Sequence, residues 1–240
     1  MCGRFAFFGN NQESLESLGV VSDPPLMESY NITPAQDIVV IRTWPETGVL
    51  EYGMLRWGLL PFWSKTNKTK FPLINARAEG IEKKPSFRGP FKYRRCIIPA
   101  SGFYEWQKRA GGKHPYFIRP KDRTVFLMAG IWDHWEGEGG TIETCAIITT
   151  EPNSVVAEIH DRMPAILDQD RALAWLGVSR LPDPGAGQGD LLKMLKPYPA
   201  EKMEGYPVNS IVNNARNIGP ECIAPIIEQQ SLFAHQNIES

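Results

Sequence analysis

The sequence predicts an α+β fold, a single domain built on a large antiparallel, barrel-like β-sheet with a few short helices. Six apolar runs of strand-like length are rich in β-branched and aromatic residues and are bounded by proline, glycine or asparagine. Helical patterns are few and short. With 240 residues, 42% of them hydrophobic and 22% charged, the chain is long enough to bury one sizeable core. We expect this domain to span residues 1–227, followed by a loosely held tail at 228–240.

The predicted strands begin almost at the first residue. Phe5, Ala6, Phe7 and Phe8 follow MCGR as an apolar stretch typical of a strand, and an ordered strand here would hold Cys2 in place. The six longer runs predict strands at 37–44, 49–60, 95–106, 114–120, 124–135 and 141–150.

Four short helices are predicted, at 12–19, 154–160, 168–177 and 190–196. The second follows Pro152 and has Asn153 or Ser154 as its N-cap, and the third ends at Gly177.

Composition excludes several classes of protein. No apolar run approaches the length of a membrane span, and no basic segment followed by an apolar stretch begins the chain. The four cysteines are far apart and form no CxxC, so we expect neither structural zinc nor a disulfide framework. We therefore expect a reducing, cytoplasmic location and no membrane association. We also expect no cofactor, no metal and a monomer.

Charge is unevenly distributed along the chain. Residues 65–95 contain ten Lys or Arg and two Glu, a local balance of +8, whereas the whole chain has a net charge of −1. One basic face on an acidic body is typical of a protein that binds a polyanion. A solvated loop with scattered lysines is the alternative, and charge alone does not separate the two.

Cys2 has a chemistry of its own once the initiator methionine is removed. It then carries a thiol and a free α-amine on adjacent carbons, with ordinary pKa values of about 8.5 and 8. The amine can form a Schiff base with an aldehyde, and the thiol can attack the imine carbon and close a thiazolidine ring. A buried, inert cysteine is the alternative.

Two further stretches carry polar residues inside strand-like patterns. In PLINARAEG, Asn75 and Arg77 share one face if the segment is extended, and an Arg fork suits a phosphate. In SGFYEW, Glu105 stands among aromatic residues, which should raise its pKa and suit it to acid–base work. The alternatives are an asparagine in a turn and a solvated glutamate on an edge strand.

EIHDRMPAIL places His160 at the end of a predicted helix, where the helix C-terminus favours the imidazolium, with Arg162 available for a phosphate. A structural histidine is the alternative. WGLLPFW and YNITPAQ place aromatics and proline in loops, where they could stack on unpaired bases. We expect Trp57 in the core and Phe62 and Trp63 at the surface.

The order of these blocks resembles one family. MCGR, YNITP, WGLLPFW, NARAE, SGFYEW, IHDRMP and VNNARNIGPECIAP are similar to the motifs of the SRAP family, the SOS-response-associated peptidase-like, abasic-site processing proteins. The resemblance runs from residue 1 to about 227 and is to the short bacterial form.

The resemblance implies a basic cleft for single-stranded DNA containing abasic sites, in which Cys2 forms a thiazolidine crosslink that shields the lesion during the DNA damage response. It implies that Asn75 positions the sugar and the terminal amine, that Glu105 shuttles protons, and that His160 serves ring opening and reversal. The positions implied to contact DNA are Arg4, Arg77, Arg162 and Thr149, with Pro34, Phe62 and Trp63 stacking on or wedging beside flanking bases. The family often has Trp-Trp where this chain has Phe62 and Trp63.

Three other functions remain open at this point. A glutamine amidotransferase also starts with MCG, but its downstream histidine and asparagine patterns are absent from this sequence. A thiol peptidase could use Cys2, Glu105 and His160, most simply to remove Met1. A non-covalent single-stranded DNA-binding module would leave those three residues without a role. AP-lyase activity is a further expectation, because a lone amine adduct can undergo β-elimination.

Overall fold

The computed structural model describes residues 2–9, 15–16, 18–20, 28–44, 47–67, 72–121, 125–178 and 188–226. Half of the helix predicted at 12–19 falls outside these residues, and the tail predicted at 228–240 lies wholly outside them. Within the described ranges, no helix has the length and apolar character needed to cross a membrane.

Strands dominate the described residues. They are β1 (Phe5–Phe7), β2 (Ser29–Ile32), β3 (Asp37–Thr43), β4 (Leu50–Trp57), β5 (Asn75–Arg77), β6 (Arg95–Ala100), β7 (Gly102–Arg109), β8 (Gly112–Pro120), β9 (Phe126–Gly137), β10 (Gly140–Thr150), β11 (Met163–Pro164), β12 (Ile166–Leu167) and β13 (Met203–Pro207). The α-helices are α1 (Pro85–Tyr93), α2 (Ser154–Ala157), α3 (Gln169–Leu176) and α4 (Gln188–Met194). Short 3-10 helices lie at Ala200–Lys202, Ser210–Asn213 and Pro220–Ile223.

Five strands close into a barrel in the order β10-β4-β3-β6-β9, because β9 also pairs with β10. Every neighbouring pair in this ring is antiparallel except β4 and β10. Strands β5, β11 and β12 extend the same sheet beyond the ring. The predicted α+β fold with a barrel-like sheet and short helices is confirmed.

A second sheet, in the order β13-β8-β7-β1-β2, lies beside the barrel. Strand β7 faces two different cores, because alternate side chains of a strand point to opposite faces. Phe103 belongs to the large cluster that fills the barrel, whereas Tyr104 packs with Ala6, Phe117 and Cys222 in a smaller one. Strand β7 therefore packs against both clusters. This packing fixes the position of Glu105, the next residue along the strand.

The single strand predicted at 95–106 is two strands in two sheets, and that prediction is wrong. The chain leaves the barrel at Ser101, whose N–H donates to the Ala6 carbonyl and whose Oγ bonds the backbone of Phe8. Gly102 is required at this crossing, since a Cβ there would lie 2.3 Å from the Phe117 ring. The other five long predicted strands end within three residues of the observed ones.

The helix caps follow the sequence signals. Asn153 accepts from the N–H of Val156 at the start of α2. Asp168 caps α3, which ends at Gly177 with a φ of 79°. Helix α4 begins at Gln188, two residues before its predicted start.

The basic segment 65–95 is not simply a loop, because it contains the unpredicted helix α1, with Pro90 inside it. Two of its cations serve the fold. Arg94 pairs with the buried Asp133 at 3.0 Å, and the Arg95 guanidinium donates to three backbone carbonyls.

Candidate functional site

Cys2 is held three residues before β1, next to an ordered strand as the N-terminal apolar stretch predicts. Strand β1 is hydrogen-bonded to both β2 and β7, with Phe5 opposite Phe103. The Cys2 side chain is fully buried, and its Sγ lies 3.8 Å from the Arg4 carbonyl oxygen as a donor. Burial, with the nearby Glu105 charge, raises the pKa of the Cys2 thiol far above its ordinary value. The thiol is therefore protonated at neutral pH.

Asn75 binds the backbone of Cys2 directly. Strand β5 runs parallel to β10, with Asn75 opposite Ile147, and its Nδ2 donates a 2.8 Å hydrogen bond to the Cys2 carbonyl. Its Oδ1 is buried without a hydrogen-bond partner among the described residues. The amide thus tethers Cys2 with one atom and keeps an acceptor beside it with the other.

Glu105 and His160 lie next to each other in the site. Glu105 is 2% exposed, and its Oε2 lies 3.8 Å from His160 Nε2. Burial raises the pKa of Glu105 from 4.5 to about 7, as its setting among aromatic residues predicts. A carboxyl with this pKa can both give and take a proton near neutral pH.

The expected imidazolium at His160 is not what the structure favours. Helix α2 ends at Ala157, and partial burial lowers the pKa of His160 below its ordinary value, which favours the neutral ring. Its Nδ1 has a partner in either protonation state. The Arg162 N–H can donate to the neutral ring at 3.1 Å, and the charged ring can donate to Asp161 at 2.8 Å.

Arg162 is held in a two-pronged ion pair. Its Nη1 and Nη2 each donate to a different oxygen of Glu79 at 2.8 Å, and Nη2 also donates to the Thr149 carbonyl at 2.6 Å. The Arg162 side chain is 11% exposed and the Glu79 side chain 59%. This arginine therefore already binds an anion within its own chain.

Arg77 and Thr149 lie opposite each other on β5 and β10. Arg77 is exposed and has no hydrogen bond or ion pair within the described part of the chain. The Thr149 Oγ1 is buried, and no described residue bonds it. Together they place an exposed guanidinium and a buried hydroxyl without a hydrogen-bond partner in the described ranges on the two strands that carry the site.

Arg4 is built into the fold. Its Nη1 donates at 2.7 Å both to Asn31 Oδ1 and to the Val212 carbonyl, and its guanidinium lies 5.8 Å from the Trp106 ring. Asn31 in turn donates to three carbonyls between Val212 and Asn217. Sequence reasoning missed Asn31 and Glu79, because the carbonyls to which Asn31 donates and the arginine that Glu79 binds lie more than 80 residues away. The sequence signals that could have found them are the family motifs YNITP, which contains Asn31, and NARAE, which contains Glu79. The motif VNNARN contains the carbonyls to which Asn31 donates.

Phe62 and Trp63 are at the surface, as predicted, with exposed fractions of 62% and 55%. Their turn is fixed from beneath, since the Phe62 N–H donates to Asp133 Oδ2 at 3.3 Å and Trp135 Nε1 donates to the Ser64 carbonyl at 2.7 Å. Trp57, also as predicted, is fully buried.

Pro34 lies in the turn after β2, before Ala35, which has a φ of 71°. The Ala35 N–H donates to the Trp57 carbonyl, so this turn is attached at the end of β4, from which the Phe62 turn also departs. The structure gives Pro34, Phe62 and Trp63 no hydrogen bond to Cys2, Glu105 or His160.

Metal ligands are not grouped in the described ranges, where no three His, Cys, Asp or Glu side chains could hold an ion together. The four cysteines are buried and form no disulfide.

Comparison with known proteins places these features in context. A family model described as SOS response associated peptidase (SRAP) matches residues 1–215. The abasic site processing protein YoqW of Bacillus subtilis (strain 168) is 42% identical over 228 residues, covering 93% of this chain and 99% of YoqW. The abasic site processing protein HMCES of Gallus gallus is 39% identical over 197 residues, which cover 72% of this chain and 56% of HMCES.

Solved structures share the fold. A protein from Bacteroides thetaiotaomicron superposes with a TM-score of 0.81 at 31% identity, over 94% of this chain and all of that one. A protein from Bordetella bronchiseptica has a TM-score of 0.72 at 23% identity, over 87% of this chain and all of that one, a likeness of fold alone. The family model covers most of the sequence and the structural match extends over nearly all of it, so the chain belongs to the SOS response associated peptidase (SRAP) family.

Proposed function

We propose that this protein processes abasic sites in single-stranded DNA by forming a covalent thiazolidine crosslink through Cys2, after removal of Met1. The names of its relatives support abasic-site processing as the activity. The observation that carries the covalent step is the convergence on one N-terminal residue: Asn75 bonds the Cys2 carbonyl, and the Glu105–His160 pair lies close enough for Glu105 to perturb the Cys2 thiol.

The chemistry needs only the aldehyde of the ring-opened sugar. The Cys2 α-amine attacks the aldehyde carbon, and the resulting carbinolamine loses water to give an imine. The Cys2 thiol then adds to the imine carbon while its proton passes to the imine nitrogen, which closes the thiazolidine. One water molecule leaves, nothing is oxidised or reduced, and the reaction needs no cofactor.

Glu105 and His160 are proposed to move the protons. With a pKa of about 7, Glu105 can accept a proton from the amine or thiol and return one to the departing hydroxyl. Neutral His160 can assist ring opening of the sugar, and the Asn75 Oδ1 can accept a hydrogen bond from the amine or from a sugar hydroxyl.

Arg77 is proposed to bind a phosphate next to the lesion. Replacing it with alanine should weaken binding to undamaged single-stranded DNA about tenfold, because one charge-assisted hydrogen bond contributes about 1.5 kcal/mol. The slope of log affinity against log salt should become shallower by about 0.7. Fluorescence anisotropy at several salt concentrations measures both quantities. Arg171→Ala, which removes an exposed arginine of α3, should change neither. An unchanged slope in Arg77→Ala would remove this residue from the interface.

Phe62 and Trp63 are proposed to stack on or separate the bases flanking the lesion. Their exposure supports this role, since an aromatic platform contributes about 1–3 kcal/mol per stacked base. The backbone contacts of their turn would keep the rings in place before DNA arrives.

Intact mass spectrometry tests the whole proposal. The purified protein should lack one methionine and, after mixing with an abasic-site oligonucleotide, gain the oligonucleotide mass less one water. Processed protein that binds the oligonucleotide without a mass gain would leave a non-covalent binding module. Shortened DNA with no adduct would indicate a lyase. Methionine release that fails in the Cys2→Ala variant would support the autopeptidase activity.

A further inference from the structure

The ion pair between Arg162 and Glu79 is a feature of the site that the proposed chemistry does not use. It joins two segments 83 positions apart, with both prongs at 2.8 Å. Fork-to-fork pairing of this kind is the geometry in which arginine also binds phosphate. The free protein thus presents a carboxylate where a phosphate oxygen pair would lie.

Glu79 also acts on the neighbouring cation. The pKa of Glu79 is lowered by its hydrogen bonds to Arg162 and, in addition, by the charge of Arg77. One carboxylate therefore lies within reach of both arginines proposed to meet the DNA backbone on this side of the site. It is more than half exposed, so it can turn into solvent, whereas Arg162 is nearly buried and further held by the Thr149 carbonyl.

We propose that Glu79 is an internal competitor for DNA phosphate: single-stranded DNA binds Arg162 only by displacing the Glu79 carboxylate, which then swings into solvent. The inference rests on the proposed function, because the displacing anion is a phosphate of the strand that carries the lesion. Glu79 thereby sets the affinity, and it favours anions that can replace both of its oxygens at once.

The proposed competition predicts the direction in which the affinity for DNA changes when the Glu79 charge is removed. Glu79 stabilises Arg162 in the free protein and contributes nothing comparable once the strand is bound, so its charge opposes binding. Removing that charge while keeping the shape should tighten binding. If Glu79 instead supported Arg162 in the complex, the same change would weaken it.

The experiment measures affinity for an undamaged single-stranded oligonucleotide by fluorescence anisotropy, which needs no covalent chemistry. Glu79→Gln should bind about three- to fivefold more tightly than the unchanged protein, the range expected for releasing a partly exposed ion pair. Glu151→Gln is the matched control, since it removes the same charge two residues beyond Thr149 from a side chain with no ion pair in the described ranges. It should change affinity much less.

The same measurement in an Arg162 variant separates competition for Arg162 from general repulsion between the Glu79 charge and DNA. In Arg162→Ala the Glu79→Gln change should give a much smaller gain, because the contested cation is gone and only the charge of Arg77 remains near Glu79. Arg162→Lys replaces this background if the alanine variant melts too early, since lysine keeps the charge but not the fork. There the gain should shrink.

Every other result overturns the inference. Unchanged or weaker binding by Glu79→Gln would make Glu79 a support for Arg162. An equal gain in Glu151→Gln or in the Arg162 background would reduce the effect to general charge. A protein that does not bind single-stranded DNA at all would fail this inference together with the proposed function, whereas normal binding and crosslinking with no Glu79 effect would fail this inference alone.

Discussion

Replacing Cys2 with alanine should abolish the heat-stable adduct with abasic-site DNA and leave most of the binding to undamaged DNA. Alanine keeps the α-amine, so an imine can still form, but no thiol is present to close the ring. The imine should hydrolyse on heating unless borohydride reduces it first. Denaturing gel electrophoresis with and without borohydride gives both readings, and the loss of stable adduct should exceed a hundredfold, as expected when a nucleophile is removed.

The matched control is Cys222→Ser, which replaces another buried thiol and can keep its hydrogen bond to the Asn217 carbonyl. It should crosslink like the unchanged protein. A Cys2→Ala protein that forms the stable adduct without borohydride would rule out the thiazolidine.

Replacing Glu105 with glutamine should slow crosslinking by about 10²- to 10³-fold, the range typical of losing a positioned acid–base group. Glutamine keeps the shape and the hydrogen-bonding capacity of the side chain but cannot exchange protons. Binding to undamaged DNA should change little. Single-turnover rates, measured with excess protein over abasic-site oligonucleotide, separate the chemical step from binding.

The pH profile of the same reaction identifies the group. The unchanged protein should show an inflection near pH 7, the pKa to which burial raises Glu105, and Glu105→Gln should lose that inflection. Glu158→Gln, at an exposed position two residues before His160, should retain it. An inflection that persists unchanged in Glu105→Gln would assign the titration to another group.

The same variant should gain stability at high pH. The folded state holds the Glu105 proton up to about pH 7, whereas the unfolded chain releases it near 4.5. Stability therefore falls as pH rises through this window, and glutamine is spared the loss. At pH 8 the gain should be up to about 3 kcal/mol, and below pH 4.5 it should vanish. Thermal unfolding of the variant and of the unchanged protein at both pH values measures this difference in stability.

Signals from residues close together in the sequence predict much of the fold. Asn153 and Asp168 cap their helices and Gly177 ends α3, because a cap depends on residues a few positions away. The raised pKa of Glu105 also followed from its immediate aromatic neighbours. Helix α1 was missed because Gly89 and Pro90 lie inside it, and both residues locally disfavour a helix.

Long-range pairing was beyond the sequence. At 95–106 the only local mark of the crossing is the Ser101–Gly102 pair, and it does not specify a change of sheet. The crossing exists because β1, almost 100 residues earlier, supplies the carbonyl of Ala6. Closure of the barrel depends likewise on β10 meeting β4, and the lowered pKa of His160 depends on burial that its own segment does not specify. The pairing of Arg162 shows the same limit, because its partner Glu79 lies 83 residues earlier, in the turn after β5.

The pairing of β5 with β10 has a consequence for the choice of lesion. Asn75 and Arg77 are two residues apart on a strand held in register by β10, so their Cα atoms lie about 6.6 Å apart, and the amide that bonds Cys2 and the proposed phosphate ligand keep a fixed spacing. Two contacts with this spacing would bind the sugar and a neighbouring phosphate and would not involve a base. Because an abasic site is the same deoxyribose whichever base was lost, one fixed spacing between the two contacts would serve every such site.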